Sequence, residues 1–273
     1  MSHHGALLDI ARIRNRFSQE RIGRRIAYYK STGSTNDVAW SAVEGGDADG
    51  LVVLAEHQSS GRGRLGRAWE MPNAAGVLMS VVVCDTNSGR SAPTLGLISA
   101  VAVCDSIAKS ASVAATIKWP NDILVNGRKM AGILIETRTS SDDLRASVVG
   151  IGINCLQHRA HFAGTLAETA TSLETESKSA VDRSDVVIRL LGELNHWLGR
   201  SPLPSHESLR NAWRSRSAML GERIRVRCNG VTYSGFVMDI DPTSALLIKL
   251  DEGGVRSFAA ADTTVIRVKT DDE

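Results

Sequence analysis

Residues 61–67 have the composition of an anion-binding loop. Their sequence is GRGRLGR, in which glycines alternate with Arg62 and Arg64, and Arg67 follows. Glycine lets the backbone approach a ligand closely, and arginine is permanently charged and binds phosphate or carboxylate through two hydrogen bonds. Three arginines in a segment without an acidic residue predict an anionic partner. A solvated surface turn and an RNA-binding loop are the alternatives that this composition leaves open.

The same residues match the GxGxxG pattern of dinucleotide-binding folds, but their surroundings do not fit that fold. Its glycine-rich turn opens a helix that connects two parallel strands, and such a connection takes about a dozen residues or more. Only nine residues, 67–75, separate Gly66 from Gly76, and Pro72 interrupts any helix among them. We therefore predict that the apolar segments 51–56 and 76–84 are antiparallel strands joined by the arginine-rich loop.

Nucleophilic and metal chemistry have no support in the residue pattern. Cys84, Cys104, Cys155 and Cys228 are far apart in the sequence and lie in apolar surroundings, which is typical of buried, reduced thiols. His57 stands alone at the end of a predicted strand, where a histidine is usually structural. The sequence predicts no catalytic Ser/His/Asp or Cys/His set, and no metal site built from protein ligands alone.

The composition is that of a globular protein with a substantial core. Of 273 residues, 42% are hydrophobic and 23% are charged, and 32 basic against 30 acidic residues give a formal net charge of +2. This balance excludes a histone-like basic protein and an acidic tail protein. The N-terminus lacks the apolar stretch of a signal peptide, and runs such as 78–84 are too short to span a bilayer. We predict a cytoplasmic protein without a membrane partner.

Residues 1–28 form an arginine-rich N-terminal segment. Apolar residues at positions 8, 10, 13, 17 and 22 suit one face of a helix. The favoured interpretation is a helix that docks on the rest of the chain and exposes its arginines, and an arm that binds nucleic acid is the alternative. The segment is too short for a helix-turn-helix domain, so no specific DNA binding is predicted.

Helices and strands alternate in the predicted structure up to residue 220. Ser34 or Thr35 is placed to cap a helix that ends at Gly45, and Asn126-Gly127 predicts a hairpin turn. Further helices are predicted at 93–110, 185–198 and 205–218, strands at 116–119, 123–125, 130–137 and 146–151, a turn at 140–143 and a loop-rich stretch at 165–180.

From residue 221 the pattern changes to short strands alone. Residues 224–228 alternate strictly between inward and outward side-chain types, and 233–240, 245–250, 255–258 and 265–268 follow, each bounded by turn residues. Five short strands in about 50 residues predict a small β-barrel. We therefore divide the chain into residues 1–220 and residues 221–273.

Seven motifs, in this order and spacing, resemble those of biotin protein ligases, which join biotin to a biotin carboxyl carrier protein. The resemblance covers roughly residues 28–268, and its most specific parts are the arginine-rich loop and KWPND followed by KMAGIL. The motifs are Ser34-Thr35-Asn36, Ala55-Glu56-His57-Gln58, residues 61–67 with Trp69, Lys118-Trp119-Pro120-Asn121-Asp122, residues 128–134, residues 150–154 and Ala170-Thr171-Ser172-Leu173.

The resemblance implies an α+β fold and a two-step reaction. The fold is a mixed β-sheet catalytic domain flanked by helices, as in class II aminoacyl-tRNA synthetases and lipoyl ligases, followed by a small C-terminal SH3-like β-barrel. Biotin and ATP, with Mg²⁺ as activator, first give biotinyl-5′-AMP and pyrophosphate. A lysine of the carrier domain of a biotin-dependent carboxylase then displaces AMP. The implied enzyme is monofunctional, lacks an N-terminal winged helix, and is a monomer or weak homodimer.

By the same resemblance, the site residues have catalytic, biotin-binding and ATP-binding roles. Lys129, Arg64 and Asp122 are the catalytic candidates, with Lys129 between the biotin carboxylate and the α-phosphate. Asp122 either organises the surrounding cations or assists Mg²⁺ and the incoming lysine. The expected biotin contacts are Ser34, Thr35, Asn36, Gln58, Gly61, Arg62, Gly63, Arg64, Lys129, Gly132 and Leu134, and the expected ATP contacts are Arg62, Arg64, Arg67, Trp69, Lys118, Asn121 and Asn154.

Two other functions remain open at the level of the sequence. A ligase for lipoate or octanoate has the same fold and differs in the acid that it activates. A non-enzymatic nucleic-acid-binding protein would use the N-terminal arginines, the arginine-rich loop and the barrel, and its binding would weaken with added salt.

Overall fold

In the described part of the chain, helices and strands alternate up to Arg214 and only strands follow. The structure is a computed structural model, and it describes residues 5–46, 48–85, 91–139, 145–199, 204–241 and 244–266. Its elements are α1 (Ile10–Phe17), β1 (Ile26–Tyr29), α2 (Thr35–Glu44), β2 (Val52–Ala55), β3 (Gly76–Asp85), α3 (Ala92–Ala111), β4 (Thr116–Lys118), β5 (Asp122–Val125), β6 (Arg128–Thr139), β7 (Arg145–Asn154), α4 (Leu166–Thr169), α5 (Leu173–Ser177), α6 (Arg183–Leu198), α7 (His206–Arg214), β8 (Arg223–Cys228), β9 (Val231–Ile240), β10 (Leu246–Leu250), β11 (Val255–Phe258) and β12 (Thr263–Ile266).

The larger sheet has seven strands in the order β1-β2-β3-β7-β6-β5-β4. It is mixed, because β1 runs parallel to β2 while the other neighbours are antiparallel. The antiparallel pairing of β2 and β3 confirms that residues 67–75 are too few for a parallel crossover. The predicted α+β fold class, with a mixed sheet flanked by helices, is confirmed.

The two faces of this sheet carry different residues, because side chains alternate along a strand. Ile133 and Ile151 point to the main hydrophobic core, which α3 and α6 share. Gly132 and Gly152 alternate with them and face the opposite side, where α2 also packs. The helix side of the sheet is therefore a packed core, and the other side leaves room above the glycines.

One described helix, α3, is long and apolar enough to cross a membrane by length and composition alone. The sequence predicted this helix at 93–110, but only shorter apolar runs were weighed as membrane spans. In the structure 61% of its most apolar 18-residue stretch is buried. Leu95, Ile98 and Ile107 of this helix belong to the main core. This burial is what the core helix of a soluble protein shows.

The N-terminal segment packs on the rest of the chain, chiefly on α6, as the favoured interpretation predicts, although its helix covers only residues 10–17. Helix α1 buries Ile13 and Phe17, and Arg12 forms an ion pair with Asp182 at 2.5 Å. Just before α1, the backbone nitrogen of Leu8 donates to Glu56 Oε1 at 2.7 Å. The segment is therefore held by core packing and by hydrogen bonds into the sheet.

Glu56 is the centre of a buried polar cluster beneath this segment. Arg183 Nη1 donates to Glu56 Oε2 at 2.8 Å, and the side chains are only 3% and 1% exposed. Tyr28 donates its hydroxyl proton to Glu56 Oε1 at 2.8 Å. Burial, followed by this hydrogen bond, raises the pKa of Tyr28 to about 12. A buried charge needs such partners, since its transfer out of water is costly.

The smaller sheet is antiparallel, in the order β11-β10-β9-β8-β12. Along β8, Ile224 and Val226 point inward while Arg225 and Arg227 are exposed, as the alternation predicts. The last described strand, β12, begins two residues earlier than the predicted 265–268, and residues from 267 onward lie outside the described part of the chain.

Two predicted elements differ from the observed ones because tertiary contacts override local sequence preference. Helix α7 ends at Arg214 instead of continuing to residue 218, because the chain pairs there with β4: Ile117 N donates to the Arg216 carbonyl at 2.7 Å, and Ala218 N donates to the Ile117 carbonyl at 2.9 Å. The stretch 165–180 contains the short helices α4 and α5 in place of an extended loop.

The predicted helix cap at Ser34 and the predicted turn at 140–143 remain to be compared with the structure. Ser34 is the N-cap residue of α2, but its hydroxyl makes no capping hydrogen bond. The predicted turn at 140–143 lies outside the described residues.

Candidate active site

A cleft of about 650 Å³ lies on the glycine side of the larger sheet, between the arginine-rich loop and the smaller sheet. Its described lining includes six basic side chains (Arg62, Arg64, Arg67, Lys118, Lys129 and Arg223) and three acidic ones (Glu70, Asp122 and Glu222). This excess of positive charge suits anionic ligands. The predicted site residues that line the cleft are Ser34, Thr35, Asn36, Gln58, Arg62, Gly63, Arg64, Arg67, Trp69, Lys118, Asn121, Asp122, Lys129, Gly132, Leu134 and Asn154.

Gly61 is the predicted contact that does not line the cleft. A Cβ atom at this position would lie 2.3 Å from the Trp69 carbonyl oxygen. The Gly61 carbonyl also accepts a hydrogen bond from Trp69 N at 2.9 Å. Gly61 therefore closes the base of the loop, where a side chain would not fit.

Glycines form the floor of the cleft and Trp69 lies against them. Gly132 and Gly152 are cross-strand partners on β6 and β7. A Cβ atom at Gly152 would lie 2.4 Å from Cε2 of Trp69, and one at Gly132 would lie 2.9 Å from Cζ3. Gly150 likewise leaves space for the Asn36 side chain, since an added Cβ atom would lie 2.5 Å from Asn36 Oδ1. Only strands without side chains at these positions can accept the indole ring and the amide.

One end of the cleft carries a network of neutral polar groups that is anchored by one carboxylate, Glu136. Gln58 Oε1 accepts hydrogen bonds from Thr35 N at 2.7 Å and from Thr35 Oγ1 at 2.8 Å. Ser80 Oγ lies 2.7 Å from Thr35 Oγ1 and 2.6 Å from Asn36 Oδ1, and Asn36 Nδ2 donates to Glu136 Oε2 at 3.1 Å. These bonds fix both amides, so the NH₂ group of Gln58 is left to donate to a ligand carbonyl.

Lys129 and Asp122 form an ion pair in the cleft, with Lys129 Nζ 2.6 Å from Asp122 Oδ1. The tight turn at Asn126-Gly127, with φ of +50° and +72°, places Lys129 near the start of β6. The backbone of Lys129 is held from the other side, since its carbonyl accepts from Thr171 N at 2.9 Å. The ammonium group lies 5.4 Å from the centre of the Trp69 ring. Lysine, carboxylate and indole thus meet above the glycine floor.

The arginine-rich loop is a small self-paired ribbon. Arg62 bridges to Ala68, and Gly63 N donates to the Arg67 carbonyl at 2.7 Å. Leu65 takes a left-handed conformation with φ of +57° at the tip, where its side chain is exposed. The loop therefore has a defined shape that holds its arginines over the cleft.

Arg64 extends from this loop across the cleft. Its Nη1 donates to Asn121 Oδ1 at 3.2 Å, and its Nη2 donates to the carbonyl oxygen of Ala260 in the smaller sheet's last connection. Burial lowers the pKa of the Arg64 guanidinium, and the nearby charge of Asp122 opposes this only in part. A charged group that is half-buried beside neutral partners is well placed to bind an anion.

The two predicted nucleotide-binding asparagines hold the walls of the cleft together. Asn121 Nδ2 donates to the Ile133 carbonyl at 3.1 Å. Asn154 Nδ2 donates to the Thr171 carbonyl at 3.0 Å, and its Oδ1 accepts from Gln157 at 3.0 Å. Their contact with a nucleotide stays a prediction, and the structure adds a wall-forming role for each amide.

Several residues of the cleft and of the polar network that supports it were missed by reasoning from the sequence. Ser80 and Glu136 complete the polar network, although only Ser80 left a visible signal, as a hydroxyl inside the apolar run of β3. Of the missed residues, Thr264 and Ile266 of β12 and Phe162 line the cleft itself. Their participation depends on how the smaller sheet and the 155–170 segment pack, which local pattern does not reveal.

The chain is similar to known ligases in sequence and in fold. Residues 28–154 match the biotin/lipoate A/B protein ligase family. The chain is 36% identical over 252 residues to a biotin–[acetyl-CoA-carboxylase] ligase of Mycobacterium tuberculosis, covering 89% of each. It is 36% identical over 225 residues to that of Paracoccus denitrificans, covering 80% of this chain and 91% of the relative. The fold of a biotin protein ligase from Aquifex aeolicus in complex with biotin and ATP matches with a TM-score of 0.77 at 23% identity, covering 90% of this chain and 100% of that one.

Proposed function

The chain belongs to the biotin protein ligase family, and from this premise we propose that it activates biotin with ATP and transfers it to a lysine of a carrier domain. The single observation that carries the proposal is the convergence in one cleft of a cationic centre, an arginine-rich loop and a neutral polar pocket. The first step brings a carboxylate and a triphosphate together, and neither step needs an enzyme nucleophile. The reaction therefore requires positioning and charge neutralisation.

In the first step, a carboxylate oxygen of biotin attacks the α-phosphorus of ATP. An acyl–phosphate bond forms, the bond to the β-phosphate breaks, and pyrophosphate leaves. We assign Lys129 to the position between the two anions, and this is supported by its ion pair with Asp122 at 2.6 Å, which holds the ammonium group above the floor. Arg64 supplies a second cation from the loop. The proposal is supported by the neutral partners that Arg64 now holds, because an anion replaces them favourably.

The neutral network around Gln58 is the proposed biotin pocket. The ureido ring of biotin has one carbonyl and two N–H groups, so it needs both donors and acceptors. Gln58 offers its NH₂ group, and the buried hydroxyl of Ser34 is free of the helix cap. Thr35 holds the Gln58 amide in place, Asn36 is held by Ser80 and Glu136, and Leu134 supplies an apolar wall.

The adenine nucleotide is proposed to lie toward Trp69 and the smaller sheet, near Lys118 and Arg67. In the described residues, no group of three or more His, Cys, Asp or Glu side chains could hold a metal ion alone. Asp122 nevertheless fits Mg²⁺ that is shared with a triphosphate, since carboxylate oxygens are its usual protein ligands. When bound, Mg²⁺ neutralises part of the triphosphate charge.

In the second step, the amine of a carrier lysine attacks the acyl carbon of biotinyl-AMP. An amide bond forms, AMP leaves with the bonding electrons, and the amine loses a proton. Asp122 is the carboxylate of the cleft nearest to Lys129, so it is placed to orient the incoming lysine. We propose that the carrier domain belongs to a biotin-dependent carboxylase and that the reaction takes place in the cytoplasm. We also propose that residues 1–220 form the catalytic domain and residues 221–273 the C-terminal domain.

The function is tested by incubating the purified chain with biotin, ATP, Mg²⁺ and a recombinant biotin carboxyl carrier domain. Intact-mass spectrometry should show one added biotinyl group on the carrier. The carrier with its target lysine replaced by arginine is the control and should stay unmodified. Modification of both carriers, or of neither by a folded enzyme, would refute lysine-specific transfer.

A further inference from the structure

The two arginines at the centre of the loop are tied to the protein by partners of different charge. Arg62 donates from Nη1 and Nη2 to the two carboxylate oxygens of Asp37, at 2.8 and 2.6 Å. Its Nη2 also reaches Glu136 Oε1 at 3.4 Å. Arg64, in contrast, holds only the neutral oxygens of Asn121 and Ala260. One arginine is thus neutralised by the protein, and the other carries its charge to the cleft.

Glu136 connects the loop to the polar end of the cleft. While Oε1 faces Arg62, Oε2 accepts hydrogen bonds from Asn36 Nδ2 at 3.1 Å and from Trp40 Nε1 at 2.9 Å. One carboxylate therefore orients the Asn36 amide and receives the loop arginine. Asp37 also receives the loop arginine, but within the described residues its carboxylate makes no hydrogen bond to the polar network.

We propose that Asp37 and Glu136 form a carboxylate clasp that holds the loop closed over the biotin end of the cleft. In this arrangement Arg62 is a positioning residue and the anionic ligand is left to Arg64. The catalytic consequence rests on the proposed function, whereas the clasp itself is a property of the ligand-free fold. Glu136 additionally couples loop position to the orientation of Asn36.

The charge of the present partners indicates which of the two arginines binds the anionic ligand. Moving Arg62 onto a phosphate would remove the ion-pair partner of Asp37 and Glu136, beside an incoming triphosphate of the same sign. Moving Arg64 would release only a side-chain amide and a backbone carbonyl. The Arg62–Asp37 pair is bidentate, which is the geometry in which a partly exposed ion pair still fixes position.

Limited proteolysis of the ligand-free protein tests the clasp without relying on activity. Trypsin cleaves after arginine, and the bonds after Arg64 and Arg67 lie in the loop but outside the clasp. We expect Asp37→Asn and Glu136→Gln to speed cleavage at these two bonds by about fivefold, as for the loss of one good partly exposed ion pair. Asp37→Glu retains the carboxylate and should restore protection.

Glu44→Gln is the matched control for this experiment. Glu44 pairs with Arg138 at 3.4 Å on the same side of the protein but touches neither the loop nor Asn36. Its cleavage rate should equal that of the parent chain. Native-like cleavage of Asp37→Asn would overturn the clasp, and because Asp37 lies on the surface this variant should fold normally even if Glu136→Gln does not.

Steady-state pyrophosphate release separates the positioning role from direct phosphate binding. Glu136→Gln should raise the KM for biotin more than Asp37→Asn does, since only Glu136 also holds Asn36, and kcat should change less than KM. A lower KM for ATP in Asp37→Asn would show that the freed Arg62 binds phosphate and would overturn the assignment. If the parent chain forms no adenylate, the proposed function fails while the proteolysis result still decides the clasp.

Discussion

Replacing Gly152 with alanine places a methyl group inside the volume of the Trp69 ring. The added Cβ would lie 2.4 Å from Cε2, 2.5 Å from Nε1 and 2.7 Å from Cζ2, all below the 3.0 Å that real Cβ contacts keep. Strand β7 is paired on both sides here, with Leu78 and Gly132 opposite Gly152. The strand is therefore fixed, and the indole ring on its surface loop must move.

The magnitude follows from the cost of overpacking. Inserting a methyl group into a well-packed site costs about 1–3 kcal/mol, and about 1.4 kcal/mol corresponds to a factor of ten in binding. If Trp69 is the nucleotide platform, the KM for ATP in pyrophosphate release should rise by roughly 5- to 150-fold. The circular dichroism spectrum should not change, because the displaced ring belongs to a loop.

Gly192→Ala is the control, since an added Cβ on that residue of α6 meets no atom within 4 Å. It should leave the KM for ATP unchanged. A KM for ATP within about twofold of the parent value in Gly152→Ala would refute the role of Trp69 in binding the nucleotide. A rise in the KM for biotin alone would show that Trp69 contacts biotin and not the nucleotide.

Four further predictions concern single side chains. Lys129→Ala should slow single-turnover formation of biotinyl-AMP by about 10³-fold, since a charge about 4 Å from an anion is worth roughly 4 kcal/mol at an effective dielectric constant of about 20. Arg64→Gly should let biotinyl-AMP escape, so the ratio of stray to carrier-directed labelling should rise. Arg183→Met should lower the free energy of unfolding in urea by about 3–5 kcal/mol, because it leaves Glu56 buried without its counter-ion. The parent chain should lose stability as the pH rises from about 10 to about 12, because the unfolded chain releases the Tyr28 proton near pH 10 while the folded chain holds it to a pKa of about 12. Tyr28→Phe should remove this slope.

Each of these predictions has a contrary result. Native turnover by Lys129→Ala would remove that lysine from the mechanism, and an unchanged labelling ratio would do the same for the retention role of Arg64. Arg189→Met, on the exposed side of α6, is the control for Arg183→Met, and equal stability of the two variants would contradict the account of the buried pair. Parallel pH curves for the parent chain and Tyr28→Phe would exclude Tyr28 as the titrating group.

The local pattern predicted the strands that build the cleft floor because each is a short apolar run bounded by turn residues. The hairpin signal at Asn126-Gly127 depends only on neighbours in sequence, and the observed β5–β6 hairpin agrees with it. The arginine-rich loop was recognised by composition, and its short connection to β3 fixed the antiparallel pairing. These parts of the fold follow from rules that operate within about ten residues.

The bonds inside the cleft could not be predicted in the same way. The Ala260 carbonyl that receives Arg64 is a main-chain atom 196 residues away, and no side-chain pattern reveals it. Glu136 looks like any polar residue of a strand until the pairing of β6 with β7 sets the face to which it points. The early end of α7 has the same origin, since backbone groups near Arg216 pair with β4.

The most direct test of the central claim offers one sample of the chain ATP, Mg²⁺ and equal amounts of biotin, lipoate and octanoate. Mass spectrometry of the small molecules identifies which acyl-adenylate forms. We predict biotinyl-AMP, with pyrophosphate released in equal amount, and no adenylate of the other two acids. A preferred lipoyl- or octanoyl-AMP, or no adenylate from a sample that circular dichroism shows to be folded, would contradict the account.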